Sequence, residues 1–575
     1  MDFDRTKFIP PHTGDSILPL SPFFTRLVRY AHCRPPRLAI RDVNLGIEKT
    51  YLDLLSDALA VRKVLRESLS PDALSALENG KETYVGLLAA GGYEYAVGFI
   101  AILALGAAVV PMAVVLPVDE ASYFVIKARC AAILTSTSAH SLAQAVVSKI
   151  HTTDNTDIPC LEIAPHLPPS PLPARSILLS TDHFLDDNAP GVVIFTSGTT
   201  GRPKGAVMRR AFLHDTSQSV ADHYRISEND VILHLLPVHH ATGVGINFVP
   251  YILSGACIEF RSGSFDAAWT WERLKQGGLT VFSAVPTIYM RMMRYFEKHL
   301  AILPQEEVDK YIAGARGFRI MLCGTSTQPT PVQQFWTNLL GGKRILTRYG
   351  ATEIGATFKT PLCGDDVPDA SVGPVFPGVT VKLSEGDEGE ILIKSPFMFS
   401  KYLNDEAATA SAHTSDGFYK TGDLAQRRGE NYFILGRASL DIIKSGGYKI
   451  SALDIEREIL GLRYIAEVMV VGVADEEFGQ RVGAVVSLRD DQMMYRCAGN
   501  GGVGKELSLD DLRSDIRSKL AGYKLPTLLR VVEGELPKSA TGKVVKKLLG
   551  PKLFPREYRD DPEVQVWVNR KGARL

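Results

Sequence analysis

The sequence predicts a layered α/β protein made of a large N-terminal region of several subdomains and a small α+β C-terminal domain. Three observations carry that expectation. Helical and strand-like apolar runs alternate through the first 190 residues, the pattern of sheets covered by helices. The alternation resumes at Gly191 and continues to Gly436-Arg437, where Gly punctuation interrupts it. Beyond that point lie about 110 residues with their own helix and strands, the length of one compact domain. The 575 residues correspond to roughly four domains on length alone, which large α/β enzymes pool into fewer units.

The elements follow in order. An uncharged stretch from Tyr95 to Val118 is long enough to span a membrane, but Gly98, Gly106, Pro111 and Pro117 interrupt it. It reads instead as a buried helix from Tyr93 to Leu105, stopped by Gly106, then a core strand at Val109-Val110; no membrane span is expected. Prolines at 159, 165, 168, 169, 171 and 173 mark a surface connection. Val192-Val193-Ile194-Phe195 is a short buried strand that runs into a Gly/Thr/Ser cluster. After residue 437 come a Gly turn at 446 and 447, a helix beginning at Ser451 with Asp454 completing a loose capping box, strands at 468–473 and 482–488, and a Lys-rich end near 543. The expected divisions are 1–436, 437–550 and a tail of 551–575.

Composition narrows the function. With 64 Lys plus Arg against 64 Asp plus Glu there is no general field for a phosphate backbone, so nucleic acid is not an expected partner. Seven scattered cysteines without a C-x-x-C pair suggest a reducing, intracellular compartment. The acidic start Met1-Asp2-Phe3-Asp4-Arg5 lacks the features of a secretory signal. Ala573-Arg574-Leu575 is a conservative variant of the Ser-Lys-Leu address read by the peroxisomal import receptor; the alternatives are peroxisomal import or an accidental basic tail on a cytoplasmic protein.

Two loops look fit for phosphate. Thr196-Ser197-Gly198-Thr199-Thr200-Gly201-Arg202-Pro203-Lys204-Gly205 follows the strand at 192–195 with three glycines, four hydroxyls and two cations, the ingredients of an oligophosphate cradle. Gly499-Asn500-Gly501-Gly502-Val503-Gly504-Lys505 satisfies the Walker spacing, yet Glu506 stands where a hydroxyl should meet magnesium, and a carboxylate there repels phosphate. That second segment reads as a flexible insertion.

The first loop resembles the signature of the adenylate-forming superfamily, which includes acyl-CoA synthetases, luciferases and peptide-synthetase adenylation domains. Further motifs stand in the family's order: Leu105-Gly106-Ala107-Ala108-Val109-Val110-Pro111, Tyr349-Gly350-Ala351-Thr352-Glu353, Thr421-Gly422-Asp423, Gly436-Arg437, Lys444-Ser445-Gly446-Gly447-Tyr448-Lys449 and Pro537-Lys538-Ser539-Ala540-Thr541-Gly542-Lys543. The resemblance covers roughly residues 20 to 550. It implies an adenylation region followed by a mobile cap, and an ATP-dependent carboxylate–CoA ligase that uses ATP, Mg2+ and coenzyme A.

Roles follow from the matched positions. Thr196 to Lys204 would hold the β and γ phosphates, and Glu353, with Thr199, would place magnesium. Lys543 would bridge the attacking carboxylate and the α-phosphate. Asp423 would accept from the ribose hydroxyls, Arg437 would assist at the nucleotide, and Gly324-Thr325-Ser326 with Tyr349 and Gly350 would line the adenine slot. A hinge at Leu440-Asp441, just after Ser439, would let the small domain swing and present Ser445-Gly446-Gly447 to the pantetheine arm of CoA.

Within the superfamily the chain is most similar to the malonyl- and methylmalonyl-CoA synthetase branch, on Val285-Pro286-Thr287-Ile288-Tyr289-Met290-Arg291, on Asp441 to Ile450, and on Leu236-Pro237-Val238-His239-His240. His240 would serve the acid and its reaction, and Arg291 stands where malonate-specific relatives place a guanidinium for a second carboxylate. Thr242 and Ser264 depart from the branch, which commonly has His and sometimes Arg at those positions. Arg291 also falls with Arg294 and Lys298 at i, i+3 and i+7, a basic stripe on a helix face, so pocket and surface both stay open. Malonate or methylmalonate is the favoured acid. The alternatives are a medium- or long-chain or branched acid of a peroxisomal or secondary-metabolic pathway, and an adenylation enzyme that loads a carrier protein.

Overall fold

The computed structural model describes residues 14–196, 202–324, 328–362, 367–438, 440–489, 507–538 and 544–567, excepting the side chains of 181–184. Two large sheets stand face to face with helices between and outside them. The first has seven strands in the order Lys401–Tyr402, Lys204–Arg209, Pro190–Thr196, Ala108–Met112, Tyr84–Leu88, Ala132–Thr135 and Cys160–Glu162. The second has eight, in the order Gly355–Lys359, Leu346–Ala351, Ile320–Cys323, Val281–Ala284, Val231–His234, Cys257–Phe260, Leu38–Asp42 and Ile47–Thr50. In each sheet the core strands run parallel; antiparallel strands stand at one edge of the first sheet and at both edges of the second.

The expected helix is present at Tyr93–Leu105 and is buried almost throughout, because it lies in the middle layer and packs on strands of both sheets. This explains its uniformly apolar sequence: a helix with no solvent face has no polar stripe. Its terminus is fixed to the second sheet by the Tyr93 amide, which donates to Asp42 at 2.7 Å. Helices Val118–Ala128 and His140–Asp154 cover the outer face of the first sheet. Helices Ala267–Lys275, Pro286–Tyr295, Gln305–Arg316 and Thr330–Leu339 cover the outer face of the second, where Trp271 and Trp336 stack 5.5 Å apart. No helix of the described residues is long and apolar enough to cross a membrane.

A smaller sheet of Thr380–Glu385, Glu388–Lys394, Tyr419–Arg428 and Asn431–Arg437 brings the chain to the small domain. There Ile442–Ser445 and Tyr448–Ser451 form a hairpin, and strands Ile465–Asp475, Gly479–Leu488, Leu528–Val532 and Val564–Val566 complete a six-stranded sheet. Ser451 caps helix Ala452–Leu460 by accepting from the Asp454 amide, which is half of the expected box. Two details differ from the sequence reading. The proline-rich connection includes the edge strand Cys160–Glu162, where the prolines lie outside the paired residues. The stretch expected as a tail supplies strand Val564–Val566, whose Val564 is buried against the Leu528–Val532 neighbour.

Candidate functional site

The carboxyl ends of the parallel strands of the two large sheets, where open α/β sheets bind ligands, carry most of the expected site residues. Thr196 ends its strand with its hydroxyl directed at the Lys204 carbonyl, 3.4 Å away. Ser197, Gly198, Thr199, Thr200 and Gly201 lie outside the described residues. Beyond them the chain returns antiparallel, Lys204 opposite Thr196, so the loop is closed at its base by a strand pair. Its two cations rest on aromatic rings: Arg202 on Tyr123 at 5.2 Å and Lys204 on Tyr402 at 5.1 Å. The Tyr123 hydroxyl donates to the Pro203 carbonyl at 3.0 Å.

Tyr349, Gly350 and Ala351 end strand Leu346–Ala351, and Thr352 and Glu353 turn the chain into Gly355–Lys359. Gly350 is required by crowding, since a Cβ there would lie 2.1 Å from the Gly355 carbonyl oxygen. Glu353 is buried, and its carboxylate accepts from the Tyr402 hydroxyl at 2.8 Å, which in turn meets the Tyr419 hydroxyl at 3.1 Å. Burial, then Glu353 and Tyr419, pushes the Tyr402 phenol far above the ordinary range, so it stays a donor. One hard carboxylate near a loop expected to hold phosphates is a donor set that fits magnesium, which usually takes one or two protein carboxylates and completes its shell with phosphate and water. Among the described residues no cluster of three or more His, Cys, Asp or Glu could hold a metal without such help.

Asp423 joins the slot from the third sheet. Its two carboxylate oxygens are held separately, one by the Tyr349 hydroxyl at 2.6 Å and the other by Arg437 Nε at 3.0 Å. Asp423 and Arg437 are opposite each other in neighbouring strands, so register alone brings them together. Gly324 follows strand Ile320–Cys323, while Thr325 and Ser326 lie outside the described residues.

His240 begins the turn into a wide-wound helix at Gly243–Phe248, and its ring lies 4.3 Å from that of His239. Burial, then His240, pushes His239 down to about 3. Arg291 projects from helix Pro286–Tyr295 toward the small domain, where Nη2 meets both Glu535 oxygens at 3.0 Å. The same helix face sends Arg294 to the Ala466 carbonyl, and Glu297, in the turn that follows, to Arg489. In this arrangement Arg291 is partly exposed and occupied by an acidic partner.

Leu440 and Asp441 continue directly from Arg437: the Asp441 carboxylate accepts from the Arg437 amide at 3.0 Å. Its other oxygen meets Lys546 at 2.6 Å, and Lys546 also binds Glu456 at 2.8 Å. Lys543 lies outside the described residues, but its flanks Lys538 and Val544 pair in an isolated bridge. Gly446 and Gly447 both have positive φ, 54° and 85°, as a two-residue primed hairpin turn demands, next to Ser445. Tyr448 stacks on Tyr523 beside them, centroids 4.3 Å apart. The insertion 499–505 and Ala573, Arg574 and Leu575 also lie outside the described residues.

Sequence reasoning missed Tyr123, Tyr402 and Lys546. Each reaches its partner across a long sequence separation, and none stands in a motif that would single it out.

Two family models match the chain. One, described as AMP-binding enzyme, matches residues 29–403, and the other, described as AMP-binding enzyme C-terminal domain, matches residues 454–543. An acyl-CoA ligase of Aspergillus oryzae, oryP, is 33% identical over 561 residues, 96% of each chain. The human mitochondrial malonate–CoA ligase ACSF3 is 31% identical over 564 residues, 92% of this chain and 91% of its own. The ATP-bound crystal structure of MatB from Rhodopseudomonas palustris superposes with a TM-score of 0.75 at 24% identity, over 93% of this chain and 99% of that one, which establishes the shared fold.

Proposed function

Because the chain belongs to the AMP-binding enzyme family, we propose that it is an AMP-forming acid–CoA ligase whose acid is malonate or methylmalonate. The observation that carries the ligase reading is the convergence of Tyr349, at the end of a strand of the second sheet, with Asp423 and Arg437 of the third, beside Glu353, which Tyr402 holds. The substrate is supported by the likeness to the human malonate–CoA ligase, which extends over nine-tenths of both chains. An acid of other length or branching is the second reading, favoured by the oryP relative, whose name specifies only an acyl group.

The chemistry assigns each residue a task. An acid carboxylate is a poor electrophile, so an oxygen of it attacks the α-phosphorus of ATP; the bond to pyrophosphate breaks and an acyl adenylate forms. Asp423 holds the ribose, with Tyr349 and Arg437 fixing the carboxylate's orientation from either side. Arg202, Lys204 and the loop amides take the charge of the leaving pyrophosphate, and Lys543 bridges the entering oxygen and the α-phosphate. Magnesium, held by Glu353 and Thr199, would supply charge neutralisation on the phosphates. In the second step the CoA sulfur attacks the acyl carbon and AMP leaves. The Ser445-Gly446-Gly447 hairpin lets the pantetheine arm pass once the small domain, 437–550, turns at Leu440-Asp441 against the region 1–436. The tail Ala573-Arg574-Leu575 stands as a proposed peroxisomal address, against the mitochondrial name of the human relative.

The test is pyrophosphate release with CoA present across malonate, methylmalonate, acetate, octanoate, a long-chain acid and a cinnamate. The expected result is highest kcat/KM on malonate or methylmalonate; a higher value for any monocarboxylate would falsify the substrate assignment. In the same assay Lys543→Ala abolishes pyrophosphate release while CoA transfer from supplied acyl adenylate persists, and equal loss of both steps removes the role given to Lys543.

A further inference from the structure

Helix Pro286–Tyr295 and the turn after it carry Arg291, Arg294 and Glu297, three residues apart on one face, and each of them meets the small domain. Arg294 donates through Nη2 to the Ala466 carbonyl, with Met290 Sδ 3.3 Å from the same nitrogen. Its guanidinium is half-buried. Burial, then Arg489, works against its charge, and Glu467, Glu297 and Glu535 support it. Glu297 meets Arg489 at 3.7 Å, and Arg291 meets both Glu535 oxygens at 3.0 Å. Contacts of both signs therefore alternate along one helix face, each with a complementary group across the domain boundary.

What the helix grips leads to the stretch that contains Lys543. Ala466 precedes Glu467, whose carboxylate accepts from the Leu536 amide at 2.7 Å and from the Lys538 ammonium. Lys538 also meets Glu535 at 3.1 Å. Lys538 and Val544, the described residues on either side of 539–543, pair with each other in an isolated bridge. One chain of contacts thus runs from Arg294 through Ala466-Glu467 to Lys538, and a second from Arg291 through Glu535 to the same lysine. The Glu467 and Lys538 side chains are only 12% and 17% exposed, so that link keeps more of its Coulomb strength than the exposed Arg291–Glu535 pair. None of these side chains belongs to the Tyr349, Asp423 and Arg437 group, so their part is to place a reacting group rather than to react.

We propose that Arg294 and Glu297 are positioning residues for adenylate formation, docking Ala466-Glu467 and Arg489 so that the base of the Lys543 stretch is set against the large region. The inference rests on the role given to Lys543 above and names what holds its domain in place for that step. Placement matters there, because a reacting group misplaced by about 1 Å costs on the order of 100-fold in rate. The second step has no use for these contacts. A turn at Leu440-Asp441 carries Ala466, Glu467 and Arg489 away from a helix that stays with the large region, so losing the contacts slows the first step and spares the second.

The experiment compares wild type, Arg294→Met, Glu297→Arg, the swap of Glu297→Arg with Arg489→Glu, and Lys543→Ala, using the acid that wild type turns over best. Single-turnover pyrophosphate release reads the first step, CoA transfer from supplied acyl adenylate reads the second, and the melting temperature reads folding. Arg294→Met is expected to lose roughly 10- to 100-fold in pyrophosphate release, with CoA transfer within about twofold of wild type. Glu297→Arg sets a like charge against Arg489 and should lose about three- to fivefold in release alone, and the swap should return release to within about twofold of wild type. Arg294→Met altering both steps alike or neither, or a swap that fails to recover release, overturns the inference; Lys543→Ala losing release alone then leaves the proposed function standing. Lys543→Ala losing both steps alike overturns both. Should Arg294→Met fail to fold, recovery in the swap decides alone.

Discussion

Replacing Lys546 with Met tests how firmly Asp441, in the segment proposed as the hinge, is fastened to helix Ala452–Leu460. The ammonium is held between Asp441 at 2.6 Å and Glu456 at 2.8 Å, and the three side chains are 14–15% exposed. Burial works against the charged lysine, yet Glu456 and Asp441 together hold its pKa above the ordinary range, whereas burial raises that of Glu456. The methionine leaves two carboxylates facing each other, which among the described residues keep the Arg437 amide and the Val470 amide respectively. Two charge-assisted bonds at about 1.5–3 kcal/mol each, and the known penalty for stranding one side of a buried pair, put the loss at about 3–5 kcal/mol. The assay is hydrogen exchange at the Val470 amide and along helix Ala452–Leu460 at neutral pH. Protection is expected to fall by about two to four orders of magnitude, and the further change Glu456→Gln should restore part of it by removing one stranded charge. A change below about 1 kcal/mol would show the three charges to be independently solvated and refute the reasoning.

Two further outcomes are expected. His234 is 1% exposed, its Nε2 meets the Gly243 carbonyl at 3.1 Å, and burial pushes its pKa to about 4. Its folded pKa lies below its unfolded one, so its stabilisation is complete above about pH 6.5 and is lost as pH falls toward 4, reaching roughly 3 kcal/mol. Urea midpoints across that window should slope less in His234→Gln, and an unchanged slope would place the acid sensitivity elsewhere. Arg291→Leu removes an exposed pair with Glu535, so the malonate-to-propionate ratio should stay as in wild type and stability should change by at most about 1 kcal/mol; a selective rise in malonate KM would return Arg291 to the acid pocket.

What the sequence disclosed divides by distance along the chain. The helix at Tyr93–Leu105 was legible because its apolar run and the Gly106 stop are local, and the strand at 192–195 because apolar β-branched residues precede a Gly cluster. Asp423 and Arg437 were legible as members of ordered motifs, but their ion pair comes from strand register. The seat of Glu353 was not legible: Tyr402 belongs to a two-residue strand that nothing in its neighbourhood predicts. The orientation of Arg291 was undecidable from helical spacing, because Glu535 occupies the side to which it turns from 244 positions away.

The aromatic seats beneath Arg202 and Lys204 bear on how the enzyme could meet ATP. A long cationic side chain free in water samples many rotamers, and gathering two of them around a polyphosphate costs about 0.5–1.5 kcal/mol each. Tyr123 and Tyr402 confine both side chains before any nucleotide arrives. Part of the ordering is therefore complete in advance, and because Tyr402 also donates to Glu353, the same ring couples the posture of the lysine proposed for phosphate to that of the carboxylate proposed for magnesium.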